Sequence, residues 1–300
     1  MGESRADEAC FLGARVGADT SESAYAGIVG LPWDAAVTYR GGASEGPRAI
    51  RTASDSIETY CPKLELDLED GQYLDLGDLA VPAGDDLART MKGLEDSVSA
   101  LPDIALLGLG GDHLAALPFI GRALARHPDL QILHIDAHPD LRDDWEGEPL
   151  NHSTILHRVL DRMREPAMLH QWGIRSGLRA EFELIARDAR IQRVPNTREA
   201  GLDTAQRLAA SGRPLYVTLD VDGIDPADIP GTGTPEPDGL RFGDVEAVLD
   251  ELARAPRAPG TRLVGADLVE LAPSLDPTGR SSVAAARLVR TLLLVLRELA

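Results

Sequence analysis

The sequence predicts an α/β fold whose mainly parallel sheet is covered on both faces by helices. Three observations predict it. Apolar runs of four to eight residues recur along the chain, stretches with helical spacing alternate with them, and polar clusters fall at the ends of the runs. Strands buried on both faces read as continuous apolar runs, and their alternation with helices builds parallel sheets. Ligands of such sheets collect outside the carboxyl ends of the strands, where the loops converge.

Residues 1–24 are small and polar and read as an N-terminal arm. Residues 25–300 read as one domain, because neither a linker nor an internal repeat breaks the rhythm. AGIVGLP (26–32) is an apolar run closed by proline, hence a strand. In VTYRGGASEGPRAIRTAS (37–54) a glycine-rich loop leads into a helix near Pro47, where a missing N–H costs nothing. YLDLGDLAV (73–81) and DIALLGLGGDH (103–113) read as strands with polar exits, and 117–127 as a helix. LQILHIDAH (130–138) is a strand and 151–165 a helix. Residues 167–175 are a strand, 180–189 a helix, 213–222 a strand, 242–255 a helix, 262–272 a strand and 281–299 the closing helix.

Composition narrows the function. The net charge of −19, from 30 basic and 49 acidic residues, argues against nucleic acid, which needs a basic face. An acidic surface favours cationic small molecules and metal ions, or else serves solubility or a salty or hot habitat. Two cysteines, Cys10 and Cys61, make no disulfide framework, and the polar N-terminus is unlike a signal peptide. The longest apolar stretch, 292–296, is too short to span a bilayer. The expectation is a cytoplasmic protein with neither membrane nor nucleic-acid partners.

Four strand ends carry unusual chemistry: GGDH (110–113), DAHPD (136–140), DVDGIDP (220–226) and VELAP (269–273). Side chains two apart in an extended segment share a face, so Asp136, His138 and Asp140 converge, as do Asp220 and Asp222. The double glycine before His113 lets the backbone turn and aim the imidazole inward. Four crowded carboxylates stay ionised only beside cations. Four carboxylates and two imidazoles would saturate a single ion, so two divalent ions sharing carboxylates fit better. Oxygen-rich ligands with some nitrogen and no thiolate favour manganese over structural zinc. Two such ions roughly 3.5–4 Å apart acidify a bridging water. A lone Asp-x-Asp at a strand end is usually a turn or a cap; the joint occurrence of the clusters is what favours metal. His134 shares parity with Asp136 and reads as buried support for it. His127, His157 and His170 read as surface or helix-face residues.

The signatures GGDH, DAHPD, TLDVDGIDP, PGTGTPEPDGL and ADLVELAP, in that order, resemble the ureohydrolase family of arginases, agmatinases and relatives. The resemblance covers the chain from YRGGASEGPRAIR onward. It implies an arginase-like three-layer α/β/α sandwich, and two Mn2+ per subunit held by His113, Asp136, His138, Asp140, Asp220 and Asp222. It also implies that Glu270 binds the substrate guanidinium and that His152 shuttles protons. Without the resemblance Glu270 reads as a loop acid and His152 as a helix-start residue. The implied reaction is guanidine hydrolysis by a metal-bridging hydroxide, with Asp140 carrying its proton to the departing amine. A homo-oligomer, trimer or hexamer, is implied in the same way.

Arginase-like members carry Ser-Gly-Asn-x-His-Gly where this chain has EGEPLNHST (146–154). Asn151, a substrate-contact candidate, and His152 are kept. NHST together with PGTGTPEPDGL resembles the agmatinase branch, although Asp238 stands where a second glycine is common. The expected substrate is therefore a small cationic guanidine, with agmatine giving putrescine and urea in polyamine biosynthesis. Guanidinobutyrate, guanidinopropionate, arginine and formiminoglutamate are the alternatives within the family. Beyond it stand a one-zinc deacetylase on the same scaffold and an inactive metal-binding relative. Glycines at 108–111 lack Gly-x-Gly-x-x-Gly spacing, which argues against a nucleotide site.

Overall fold

The computed structural model of the protein describes residues 10–16, 24–82, 84 and 86–300. In chain order the described elements are β1 (Arg15–Val16), β2 (Ala26–Leu31), α1 (Gly46–Ser54), β3 (Tyr60–Cys61), β4 (Leu66–Asp67), β5 (Tyr73–Asp78), α2 (Leu87–Ser99), β6 (Ala105–Gly110) and α3 (Leu117–Arg126). They continue as β7 (Gln131–Ile135), α4 (Ile155–Arg162), β8 (Met168–Trp172), α5 (Arg179–Arg187), β9 (Ile191–Val194), α6 (Arg198–Ala209), β10 (Pro214–Asp220), α7 (Phe242–Arg254), β11 (Arg262–Val269) and α8 (Arg280–Glu298). All strands except the small β3–β4 pair form one sheet in the order β1-β5-β2-β6-β11-β10-β7-β8-β9, and its pairings are parallel.

The three layers follow from which faces are apolar. Every residue of β7 and β10 is buried, because helices cover both faces of the sheet. One core cluster packs Ile50 of α1, Leu208 of α6, Val248 of α7 and Leu288 of α8 on one face. The other packs Leu94 of α2, Phe119 of α3 and Val159 of α4 on the opposite face. In α8 residues 292–296 are buried all round, which explains their unbroken apolar run. No helix among the described residues is long and apolar enough to cross a membrane.

Of the arm expected over 1–24, residues 10–16 and 24 are described and the others lie outside the described residues. The described piece is tied down: Phe11 is buried, its N–H donates to Asp75 Oδ2 (2.9 Å), and β1 pairs with β5. Elements not anticipated from the sequence are β1, α2, β9, α6 and the β3–β4 pair.

His170 corrects an expectation. It lies on β8 and is buried, not on the surface or on a helix face. Gln131 gives its amide hydrogens to the carbonyls of Asp129 and Pro166, so its oxygen accepts from His170 Nε2 (3.1 Å). The hydrogen of the neutral ring is thereby on Nε2, and Nδ1 is left buried without a partner. Burial lowers the His170 pKa to about 4. The unfolded chain then takes up a proton near pH 6.5 that the folded chain refuses until about pH 4, so stability falls as pH drops through that window. The loss is about 1–3 kcal/mol. In urea titrations at pH 7 and pH 4.5, His170→Gln should show that much less acid sensitivity than the wild type. An unchanged difference would refute it.

Candidate metal centre

The six candidate ligands gather in a cage of side chains at the ends of β6, β7 and β10, beside the end of β11, which carries Glu270. β7 stops at Ile135, so the convergence of the DAHPD side chains does not come from an extended segment, as parity reasoning supposed. The chain turns instead, and Asp140 takes a left-handed backbone with φ 53. Asp220 ends β10, and Asp222 sits in the short 3-10 turn Val221–Gly223. His113 opens the turn after β6, and Gly111 is obligatory there: a Cβ would stand 2.0 Å from the Trp33 carbonyl oxygen. Asp112 in the same motif anchors the neighbouring loop by accepting from the Ala36 N–H (2.9 Å).

The six candidate ligands make two nests. His113 Nδ1 faces Asp136 Oδ2, Asp140 Oδ2 and Asp220 Oδ2 at 3.1, 3.0 and 3.3 Å. His138 Nδ1 faces Asp222 Oδ2 at 3.1 Å and Asp136 Oδ1 at 3.6 Å. Asp136 thus gives one oxygen to each nest. His113 Nδ1 is fully buried yet has no hydrogen bond of good geometry, although three carboxylates surround it. Asp136, His138 and Asp222 are likewise close enough to share an ion. An orphaned imidazole nitrogen amid carboxylate oxygens, with no thiolate, fits divalent cations of the manganese class.

The charges of the protein alone do not balance. Burial and the neighbouring carboxylates raise the pKa of Asp220 and Asp222. Asp136 is held well below its usual range, since His134, His113 and His138 outweigh its burial. Against its own burial, His138 is pushed up to about 12 by Asp222 and Asp136. Protons stand in the places cations would take.

His134 also lies against His113 and Asp136, but hydrogen bonding excludes it as a ligand. Gln171 Nε2 donates to the Pro139 carbonyl (2.8 Å) and to His134 Nδ1 (3.0 Å). The His134 hydrogen is therefore on Nε2, which donates to Asp136 Oδ2 (2.7 Å) and orients that carboxylate.

Glu270 follows β11 with φ 64, a strained backbone for a non-glycine residue. Its Oε1 accepts from the His113 N–H (3.0 Å) and meets His152 Nδ1 (3.1 Å). Burial opposes a charge on His152, but Glu270, Asp140 and Asp112 raise its pKa to about 9. His152 Nε2 meets Thr38 Oγ1 at 2.8 Å. Asn151 turns away from the Glu270–His152 pair: its amide donates to the Ala36 carbonyl (2.7 Å) and its oxygen accepts from Ser153 N and Oγ, capping the turn that carries His152.

A pocket of about 120 Å³ runs from Asp140, Asp220 and Asp222 past His138 and His152 to Arg142 and Trp145. A larger cavity, about 520 Å³, opens near Phe119, Tyr216 and Arg262, and it lacks the acid and imidazole cluster. Three arginines near these loops have distinct surroundings. Arg175 spends its guanidinium on carbonyls of Gly173, Asp222, Gly223, Glu236 and Pro237. Arg158 pairs with Asp143 at the surface. Arg142 lines the pocket, stacked over Trp145 at 4.6 Å with Nε 4.0 Å from Glu181. Sequence reasoning missed Thr38 and Thr234, which donates to Asp222 Oδ2 (2.9 Å). The PGTGTPEPDGL signature contained the second; nothing local marked the first.

A family model described as the arginase family matches residues 24–295. The agmatinase of Bacillus cereus is 40% identical over 269 residues, 89% of this chain and 90% of that protein. The guanidinopropionase of Pseudomonas aeruginosa is 36% identical over 284 residues, 91% of this chain and 86% of that one. Among solved structures, the proclavaminate amidino hydrolase of Streptomyces clavuligerus superposes with a TM-score of 0.84 at 28% identity, covering 97% of both chains.

Proposed function

This chain belongs to the arginase family of ureohydrolases, in its agmatinase branch, and from that premise we propose that it hydrolyses agmatine to putrescine and urea at a two-manganese centre. The observation that carries the reading is the split of Asp136 between two nests beside the Glu270–His152 pair. His113, Asp136, His138, Asp140, Asp220 and Asp222 are the residues that would hold the ions. Bound there, two manganese ions supply Lewis acidity and bring water toward ionisation near neutral pH.

The remaining work belongs to side chains. Glu270 Oε1 is engaged by His113 N–H and His152, while Oε2 lies beside Gly233, which has no side chain to cover it. Oε2 accepts from the guanidinium N–H groups and holds the guanidine carbon toward Asp140. Asp140 Oδ takes the proton of the attacking water and delivers it to the departing nitrogen as the C–N bond breaks, so putrescine leaves as an amine and the carbon leaves as urea. His152, raised to about 9 and linked to Thr38, exchanges protons between the pocket and solvent. The assembly expected is a homo-oligomer, trimer or hexamer.

Arg142 favours a second reading. A cation on the pocket wall suits a carboxylate tail, as in guanidinobutyrate or guanidinopropionate, better than the ammonium of agmatine. Urea release with added manganese, measured side by side on agmatine, guanidinobutyrate, guanidinopropionate and arginine, decides. Under the first reading agmatine leads in kcat/KM by about 100-fold or more, and Arg142→Gln leaves that order intact. Under the second a carboxylate-tailed guanidine leads, and Arg142→Gln lowers its kcat/KM about 10–100-fold.

A further inference from the structure

ADLVELAP and TLDVDGIDP each contain a polar residue that the reaction above leaves unused: Asp267 and Thr218. The parallel register of β10 and β11 sets Thr218 directly opposite Asp267. On the other side, Thr218 stands opposite His134, and His134 opposite Gln171, so a buried polar row crosses four strands beneath the cage. The half formed by His134 and Gln171 orients Asp136. The other half acts on His113.

Asp267 is 1% exposed. Its Oδ1 accepts from the Thr218 hydroxyl (2.7 Å) and its Oδ2 from the Tyr216 hydroxyl (2.9 Å). With its hydrogen committed to Asp267, Thr218 Oγ1 meets His113 Nε2 (3.0 Å) as an acceptor. The single hydrogen of a neutral imidazole is then on Nε2, and the Nδ1 lone pair faces Asp136, Asp140 and Asp220. The opposite polarity would put a hydrogen on Nδ1 and block ligation. A carboxylate in mid-strand between Ala266 and Leu268 is costly to bury unless its hydrogen bonds are used, and here both oxygens are used.

We propose that Asp267, acting through Thr218, is a positioning residue that fixes His113 as an Nδ1 metal ligand. The idea rests on the manganese reading for the identity of the ion and on nothing about the substrate. Carboxylates that reach a metal-bound imidazole through its outer N–H orient the ring and make it more basic; losing such a partner lowers metal affinity by about 10–100-fold.

The test is manganese binding, by titration calorimetry with a competing chelator, to the full chain. The variants are Thr218→Val, Thr218→Ser and Asp267→Asn, each checked for folding by urea titration without metal. Thr218→Val should bind one of the two ions about 10–100-fold more weakly, and Thr218→Ser, which keeps the hydroxyl, should stay within about threefold of wild type. Asp267→Asn keeps an acceptor for Thr218 and lets its amide donate to Tyr216, so it is the variant built to fold; it should still lose about 10-fold for that ion. A merely structural role would lower metal-free stability in these variants and leave both affinities unchanged, which overturns the proposal. Thr218→Ser as weak as Thr218→Val overturns it too, since the hydroxyl would not be the active part. If Thr218→Val does not fold, Asp267→Asn decides alone. Wild-type protein that binds no manganese would instead sink the two-manganese reading.

Discussion

Asp140→Asn is expected to cut the turnover of agmatine by about 10³–10⁴-fold in protein that still carries its manganese. Asp140 Oδ2 faces His113 Nδ1 at 3.0 Å and the residue lines the pocket, so one carboxylate stands both among the candidate ligands and on the wall where a substrate would sit. The amide keeps the shape and an oxygen that can still ligate, but it cannot take a proton from water and return it to the departing nitrogen. The fold should survive. The Asp140 carbonyl still accepts from the N–H groups of Leu156 and His157, which ties the turn to α4. Asparagine also tolerates the left-handed backbone that this position adopts. The measurement pairs urea release at saturating manganese with metal content per chain. A variant with two ions per chain and turnover within about tenfold of wild type would remove Asp140 from the proton transfer.

Much of the fold was legible because apolar runs and helical spacing reported burial directly. β6, β7, β10 and β11, the strands whose ends make the cage, are the ones with the plainest runs, since helices cover both of their faces. Elements at the margin were obscured by polar interruptions. β9, IQRV, buries only its two ends, and α6 carries a glycine in its first turn where Trp172 packs, 2.7 Å from the place a Cβ would occupy. α2 was readable in principle: Leu87, Met91, Leu94 and Val98 keep helical spacing, and Asp86 caps them by accepting from the Arg89 N–H (3.0 Å). The candidate ligands were marked by residue type and position, and the chain does bring them together, although along a different backbone path from the extended one that parity supposes. What no local pattern disclosed was pairing across the sheet. That Asp267 serves His113, that Gln171 fixes the His134 tautomer, and that His170 is buried all depend on register between strands far apart in sequence. Asn151 and Arg142 show the same limit on loops: the resemblance suggested a substrate contact for Asn151 and nothing in the sequence placed Arg142, and only the placed side chain tells which groups each meets.

Stripping manganese with a chelator should lower the melting temperature by about 10 °C and abolish urea release, and returning the metal should restore both. Each ion at about 100 times its dissociation constant adds about 2.7 kcal/mol, so two add about 5 kcal/mol. A chain of this size gains roughly 2 °C per kcal/mol. The gain has a physical source in the cage: Asp136, Asp140 and Asp220 all point an oxygen at one imidazole nitrogen, and without cations only protons relieve their mutual repulsion. The effect should therefore depend on pH. Since His113 and His138 are held protonated well above their usual range, the latter to about 12, metal must displace those protons to bind. Binding that releases protons strengthens as pH rises, so the thermal gain from manganese should be larger at pH 8 than at pH 6. Magnesium should give a much smaller gain at equal concentration, because imidazole nitrogen is a poor ligand for it. A melting temperature indifferent to manganese at both pH values, in protein whose metal content rises on loading, would mean that the ions sit elsewhere and that the six residues do not form the cage.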